Sequence, residues 1–258
     1  MQSTQNLVQS LPTTPYQDQK AGTSGLRKKV KVFQQENYLE NFVQSIFDSI
    51  PEAERAGKKL VVSGDGRFWN DVAIGKIIKL AAGNKVGHLY IGQYGHMSTP
   101  AMSHMVRTLN KEQPDSCMGA ILLTASHNPG GETEDFGIKF NTPNGGPALE
   151  SLTNAVFERS KVIDKLLAVP TLPEVDITKT QELTFAVENG NIQISVVDPA
   201  DAYITLMKEL FDFDQIKALL KRADFEMCFD GMHGAAGPYA NKIFVDELGC
   251  PAEALMRC

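Results

Sequence analysis

The sequence predicts an α/β protein: a mixed, mostly parallel sheet flanked by helices, followed by an incomplete second α/β unit. Three observations carry this. The apolar runs KLVVS, HLYIG and GAILLTA have strand length and alternate with stretches of helical periodicity. Each run closes on glycine or a polar turn rather than continuing into a helix. From Asp198 the rhythm starts again with a helix, a strand and a second helix.

Taken in order, Leu39, Phe42, Val43, Ile46, Phe47 and Ile50 recur at helical spacing, and Pro51 marks the end of that helix. KLVVSGDGRF is a short β-branched run entering a Gly/Asp turn, and a helix follows over about 72–82. HLYIG (88–92) is a strand, and STPAMSHMVRTLN (98–110) a helix with Ser98 placed to cap it and Pro100 in its first turn. GAILLTA (119–125) is a buried strand, GIKFN (137–141) a second strand behind it, and 148–160 a helix. The stretch 169–193 is polar and without clear periodicity, so a domain boundary falls near its end: 1–197 form the first domain and 198–258 the start of a second. In that second part we expect a long helix over about 199–221, a strand at EMCFD, the turn GMHGAAG and a helix over about 238–248.

The 258 residues, 42% of them apolar, suffice to bury a sizeable core. A net charge of -6 with no long run of either sign argues against nucleic acid or an anionic membrane as the main partner. The first 20 residues lack the charged start and apolar stretch of a signal peptide, and no segment offers an uninterrupted apolar span of membrane length. Cys117, Cys228, Cys250 and Cys258 form no C-x-x-C pair, and we expect free thiols in a cytoplasmic protein.

Ligands of open α/β sheets gather beyond the carboxyl ends of the strands, which is where TASHNPGG begins. Read from its residues alone, this stretch is either a reactive loop with Ser126 as nucleophile or phosphate acceptor, or a surface turn that Ser126 caps. It fits neither G-x-S-x-G nor the Walker phosphate loop. KAGTSGLRKKV (20–30) is either a phosphate grip led by Arg27 or a basic surface segment. Lys139 must point to the opposite face from Ile138 and Phe140; it is a proton-transfer candidate if that face lines a cleft and an ordinary edge lysine if not. His127 is a phosphate neighbour or a structural histidine, and SGDGR (63–67), with one aspartate, is a turn rather than a metal loop.

Together, GTSGLRKKVKVF (22–33), SGDGRF (63–68), STPAMS (98–103), LTASHNPGG with DFGIKFN (between 123 and 141) and FDGMHGAAGPY (229–239) resemble the phosphoglucomutase branch of the α-phosphohexomutase family. The resemblance implies a phosphoserine at Ser126 that passes its phosphoryl group through a glucose 1,6-bisphosphate intermediate, exchanging glucose 1-phosphate and glucose 6-phosphate. It implies Ser126, His127 and Lys139 as the catalytic set, with Thr23, Ser24, Arg27, Ser126 and Lys139 about the substrate phosphate. A phosphoryl oxygen on Ser126 would ligate Mg2+. The partners it implies are small sugar phosphates, with no nucleic acid and no membrane span, and a monomeric parent. Family members are four-domain chains about twice this length. Their aspartate-rich metal loop, sugar loop and distal phosphate loop lie beyond the position of Cys258, and no D-x-D-x-D run occurs here. The expectation is therefore an amino-terminal portion with little turnover by itself, or alternatively a non-catalytic, parafusin-like scaffold.

Overall fold

The computed structural model describes residues 6–22, 24–188 and 190–258. In chain order its elements are β1 (Gln9–Pro12), β2 (Leu26–Lys29), α1 (Val30–Phe33), α2 (Tyr38–Asp48), α3 (Glu52–Arg55), β3 (Lys59–Gly64), α4 (Asn70–Gly83), β4 (His88–Gly92), α5 (Thr99–Glu112), β5 (Cys117–Leu123), β6 (Asp135–Asn141) and α6 (Glu150–Ser160). They are followed by β7 (Lys165–Ala168), β8 (Gln181–Val187), β9 (Gly190–Val197), α7 (Asp201–Leu210), α8 (Phe213–Leu220), β10 (Phe229–Asp230), α9 (Gly237–Ala240) and β11 (Leu255–Met256).

Seven strands form the central sheet in the order β2-β6-β5-β3-β4-β9-β8. Its middle is parallel (β5 to β3, β3 to β4, β4 to β9), whereas β6 and β8 run against their neighbours, so the sheet is mixed as the sequence predicts. β5 is buried along its whole length, which is why CMGAILL carries no alternation: both of its faces meet helices. The larger core packs α2 and α4 on one face through Phe42, Ile46, Ile74 and Ile77. The smaller one on the other face joins Val61, Ala120 and Leu122 to Met102 and Val106 of α5 and to Ile204 and Tyr239. As expected, Ser98 caps α5, its hydroxyl accepting from the Ala101 N–H. The four cysteines are free thiols, and among the described residues no helix is long and apolar enough to cross a membrane.

Several elements differ from the sequence reading. The stretch 169–193 is not irregular throughout, because β8 and β9 form an antiparallel hairpin at the sheet edge. On β8 the more buried Leu183, Phe185 and Val187 alternate with exposed Glu182, Thr184 and Ala186; the polar members of this alternation hide a half-buried strand. The long helix over 199–221 breaks into α7 and α8. Phe211 is extended, and Asp212 Oδ1 accepts from the Gln215 N–H at 3.0 Å, starting a new helix. EMCFD contributes only Phe229 and Asp230, paired in parallel with β11, and the last helix passes from α9 into a π-helical segment, Asn241–Glu247. Within the basic stretch 20–30, to which the sequence reading assigns no element, Leu26–Lys29 is an edge strand.

Candidate active site

β3 and β5 lie side by side with Gly64 opposite Leu123, so the turn SGDGR and the loop TASHNPGG leave neighbouring strands at one end of the sheet. A side chain on Gly64 would overlap the Leu123 carbonyl oxygen and Asn70 Oδ1. That close approach requires glycine here. Beyond the paired residues, Asp65 donates its N–H to the Leu123 carbonyl at 3.1 Å, and Thr124 donates its own to the carbonyl of Gly137 on β6 at 2.9 Å.

Ser126 is exposed and left-handed, with φ 59°. For a residue with a side chain this conformation costs about 1–3 kcal/mol and persists where its surroundings impose it. The surroundings are polar. The Ser126 N–H donates to Thr124 Oγ1 at 2.9 Å, and that hydroxyl donates to Asp65 Oδ2 at 2.6 Å. The Arg67 guanidinium, only 6% exposed, holds Asp65 with two bonds of 2.9 Å. It also donates to the carbonyls of Asp135 at 2.6 Å and Ser126 at 3.3 Å, tying together both ends of the loop. Asn128 and Lys29 hold the Asp135 carboxylate at 2.8 Å each, and chiefly the Lys29 contact pulls its pKa below the usual carboxylate range. His127 Nδ1 lies 3.3 Å from Ser126 Oγ, so the two residues are neighbours. SGDGRF and LTASHNPGG both carry the resemblance, yet nothing in the sequence links Asp65, Arg67 and Thr124 to one another. SGDGR is a turn, as read, yet its two charged residues brace the serine loop.

Arg27 and Lys139 share one sheet face. Arg27 is opposite Gly137, Gly25 lies against the Lys139 side chain, and neither glycine fills the space beside these long cations. Burial first, and the charge of Arg27 second, push the Lys139 pKa down. The Arg27 Nε is buried without a hydrogen-bond partner among the described residues. Two neighbouring cations with an unused donor make a place for an anion. Ser24 is exposed in a turn closed by mutual hydrogen bonds between Gly22 and Gly25, whereas Thr23 lies outside the described residues.

Magnesium requires several oxygen ligands in near-octahedral array. Both oxygens of Asp65 are taken by Arg67 and Thr124, and those of Asp135 by Lys29 and Asn128. Among the described residues, no group of three or more His, Cys, Asp or Glu side chains is placed to hold a metal. These residues alone do not fit the ion.

Known proteins of the same design can be compared with this geometry. The family model described as phosphoglucomutase/phosphomannomutase, alpha/beta/alpha domain I, matches residues 18–166. The chain is 51% identical over 246 residues to a cytoplasmic phosphoglucomutase of Bromus inermis, covering 95% of this chain and 42% of that protein. With the cytoplasmic phosphoglucomutase of Mesembryanthemum crystallinum it is 49% identical over 251 residues, covering 97% and 43%. It thus spans less than half the length of these relatives. The open form of the exocytosis-sensitive phosphoprotein pp63/parafusin of Paramecium superposes with a TM-score of 0.94 at 45% identity, over 98% of this chain and 45% of that one. A putative phosphomannomutase of Thermus thermophilus shares the fold, with a TM-score of 0.63 at 21% identity over 95% of this chain and 46% of that one. The chain belongs to the phosphoglucomutase/phosphomannomutase family, and its serine loop lies within the α/β/α domain I of that family.

Proposed function

We propose that this chain carries the phosphoryl-transfer serine of a glucose-type phosphoglucomutase, interconverting glucose 1-phosphate and glucose 6-phosphate through glucose 1,6-bisphosphate. The observation that carries the reading is the Arg27 and Lys139 pair. Among the described residues these two cations on one face have no acidic partner between them, and an unused buried Nε awaits an acceptor, as a phosphate site requires. In the forward half-reaction the Ser126 O–P bond breaks and a sugar O–P bond forms. Lys139, whose pKa burial and Arg27 hold down, is the candidate base for the sugar hydroxyl's proton, and the departing Ser126 Oγ takes up a proton to become a hydroxyl again. His127 neighbours the transferred group, and Thr23, Ser24 and Arg27 flank the bound phosphate.

Magnesium would take one oxygen from phosphorylated Ser126 and its remaining ligands from outside the residues described. The same reading divides the chain into a first domain, 1–197, and the start of a second, 198–258. It gives the protein the cytoplasmic setting of the plant relatives and a monomeric parent. A second reading is a non-catalytic scaffold of the parafusin kind; pp63/parafusin, which the chain fits, is itself described both as an exocytosis-sensitive phosphoprotein and as a phosphoglucomutase.

Calorimetric titration with glucose 6-phosphate tests the proposal. Binding is expected, and Arg27→Met and Lys139→Met are each expected to weaken it by about tenfold or more. No binding by the unmodified chain, or equal binding by both variants, would sink the proposal.

A further inference from the structure

We propose that Asp65, Arg67 and Thr124 are positioning residues that fix the backbone of Ser126 through a closed hydrogen-bonded ring. The ring can be followed atom by atom. The Ser126 N–H donates to Thr124 Oγ1, the Thr124 hydroxyl donates to Asp65 Oδ2, and Arg67 Nη2 donates both to the same Oδ2 and to the Ser126 carbonyl oxygen. Both polar groups of one peptide residue are thereby referred to a single carboxylate, itself fixed by the end of β3. The ring accounts for the left-handed Ser126: with its N–H and C=O directions both set, the residue has little freedom to relax to a right-handed conformation.

The charges are arranged to the same end. A carboxylate beside a phosphoryl-carrying serine would repel the phosphate, but the bidentate guanidinium neutralises Asp65 and leaves it acting as a geometric hub. Arg67 Nη1 reaches the Asp135 carbonyl, so the hub also sets where β6, the strand bearing Lys139, begins. Acceptor serine and candidate proton carrier are thus registered to one side chain, which fixes the spacing that a two-point transfer needs.

This inference rests on the phosphoserine reading only for its catalytic meaning, and its test reads the backbone directly. Thr124→Val keeps the shape of the side chain but opens the ring, and Thr124→Ser closes it again. In nuclear magnetic resonance spectra of the 258-residue chain, Thr124→Val is expected to speed Ser126 amide exchange by about tenfold or more. It should also weaken the strong intraresidue Hα–HN cross-peak that a positive φ produces. Thr124→Ser should restore both signals, Arg67→Lys should lose them in part, and the Ile121 and Leu122 amides should keep their rates in all variants. An unchanged Ser126 in Thr124→Val, or no rescue by Thr124→Ser, overturns the ring. So does a uniform acceleration across β5. If these signals behave as expected while glucose 6-phosphate does not bind, the ring stands and the proposed function falls.

Discussion

Gly64 lies so close to Leu123 that no side chain fits between them, and this contact aligns the two turns that build the serine site. Gly64→Ala must push backbone atoms apart, because the obstacles include a carbonyl oxygen rather than a flexible tip. We expect it to cost about 2–3 kcal/mol, read as a lower urea midpoint with an unchanged slope. A midpoint equal to that of the parent chain would show that the strands can separate here without strain.

Lys139 yields a prediction with a definite sign in pH. Burial and the Arg27 charge lower its proton affinity in the folded chain, so the unfolded chain binds that proton more tightly. Stability should therefore rise with pH from the folded pKa up to the ordinary lysine value of about 10.4. Lys139→Met should remove this slope and stabilise the chain by about 1 kcal/mol at neutral pH, while weakening binding of glucose 6-phosphate. Thermal unfolding at a series of pH values decides it, and a variant less stable than the parent at neutral pH would contradict the account.

His96 acts on the acid side. It follows the short turn after β4, its Nε2 is buried without a partner among the described residues, and burial holds its pKa below the usual value. The folded chain resists protonating it, so stability should fall as pH drops below about 6.5 toward the folded value. His88 and His104 are lowered as well and share this trend. His96→Asn should remove one part of the acid-side loss; an identical pH profile for the variant would place the loss in the other two.

Legibility from sequence followed the range of the interactions. Ser98 is readable as a cap because its partner is three residues away, and TASHNPGG stands out because an apolar run delivers it to a strand end. The brace is not readable. Asp65 and Arg67 look like any turn residues until the fold brings Ser126 and Asp135 to Arg67, 59 and 68 residues further along. The hairpin β8 to β9 is hidden because its outward-facing residues are polar, and the break at Phe211 because Asp212 reads equally well inside a helix until its cap is seen.

The pairing of β3 with β5 sets a limit on how the gene can vary. A one-residue insertion in β5 would turn Leu122 and Leu123 to the wrong faces, one in β3 would do the same to Val61 and Val62, and either would carry Thr124 out of reach of Asp65. Packing and chemistry thus depend on a single alignment. Length changes inside these strands should be lost as insoluble protein, and surviving length variation should be confined to connections away from this end of the sheet.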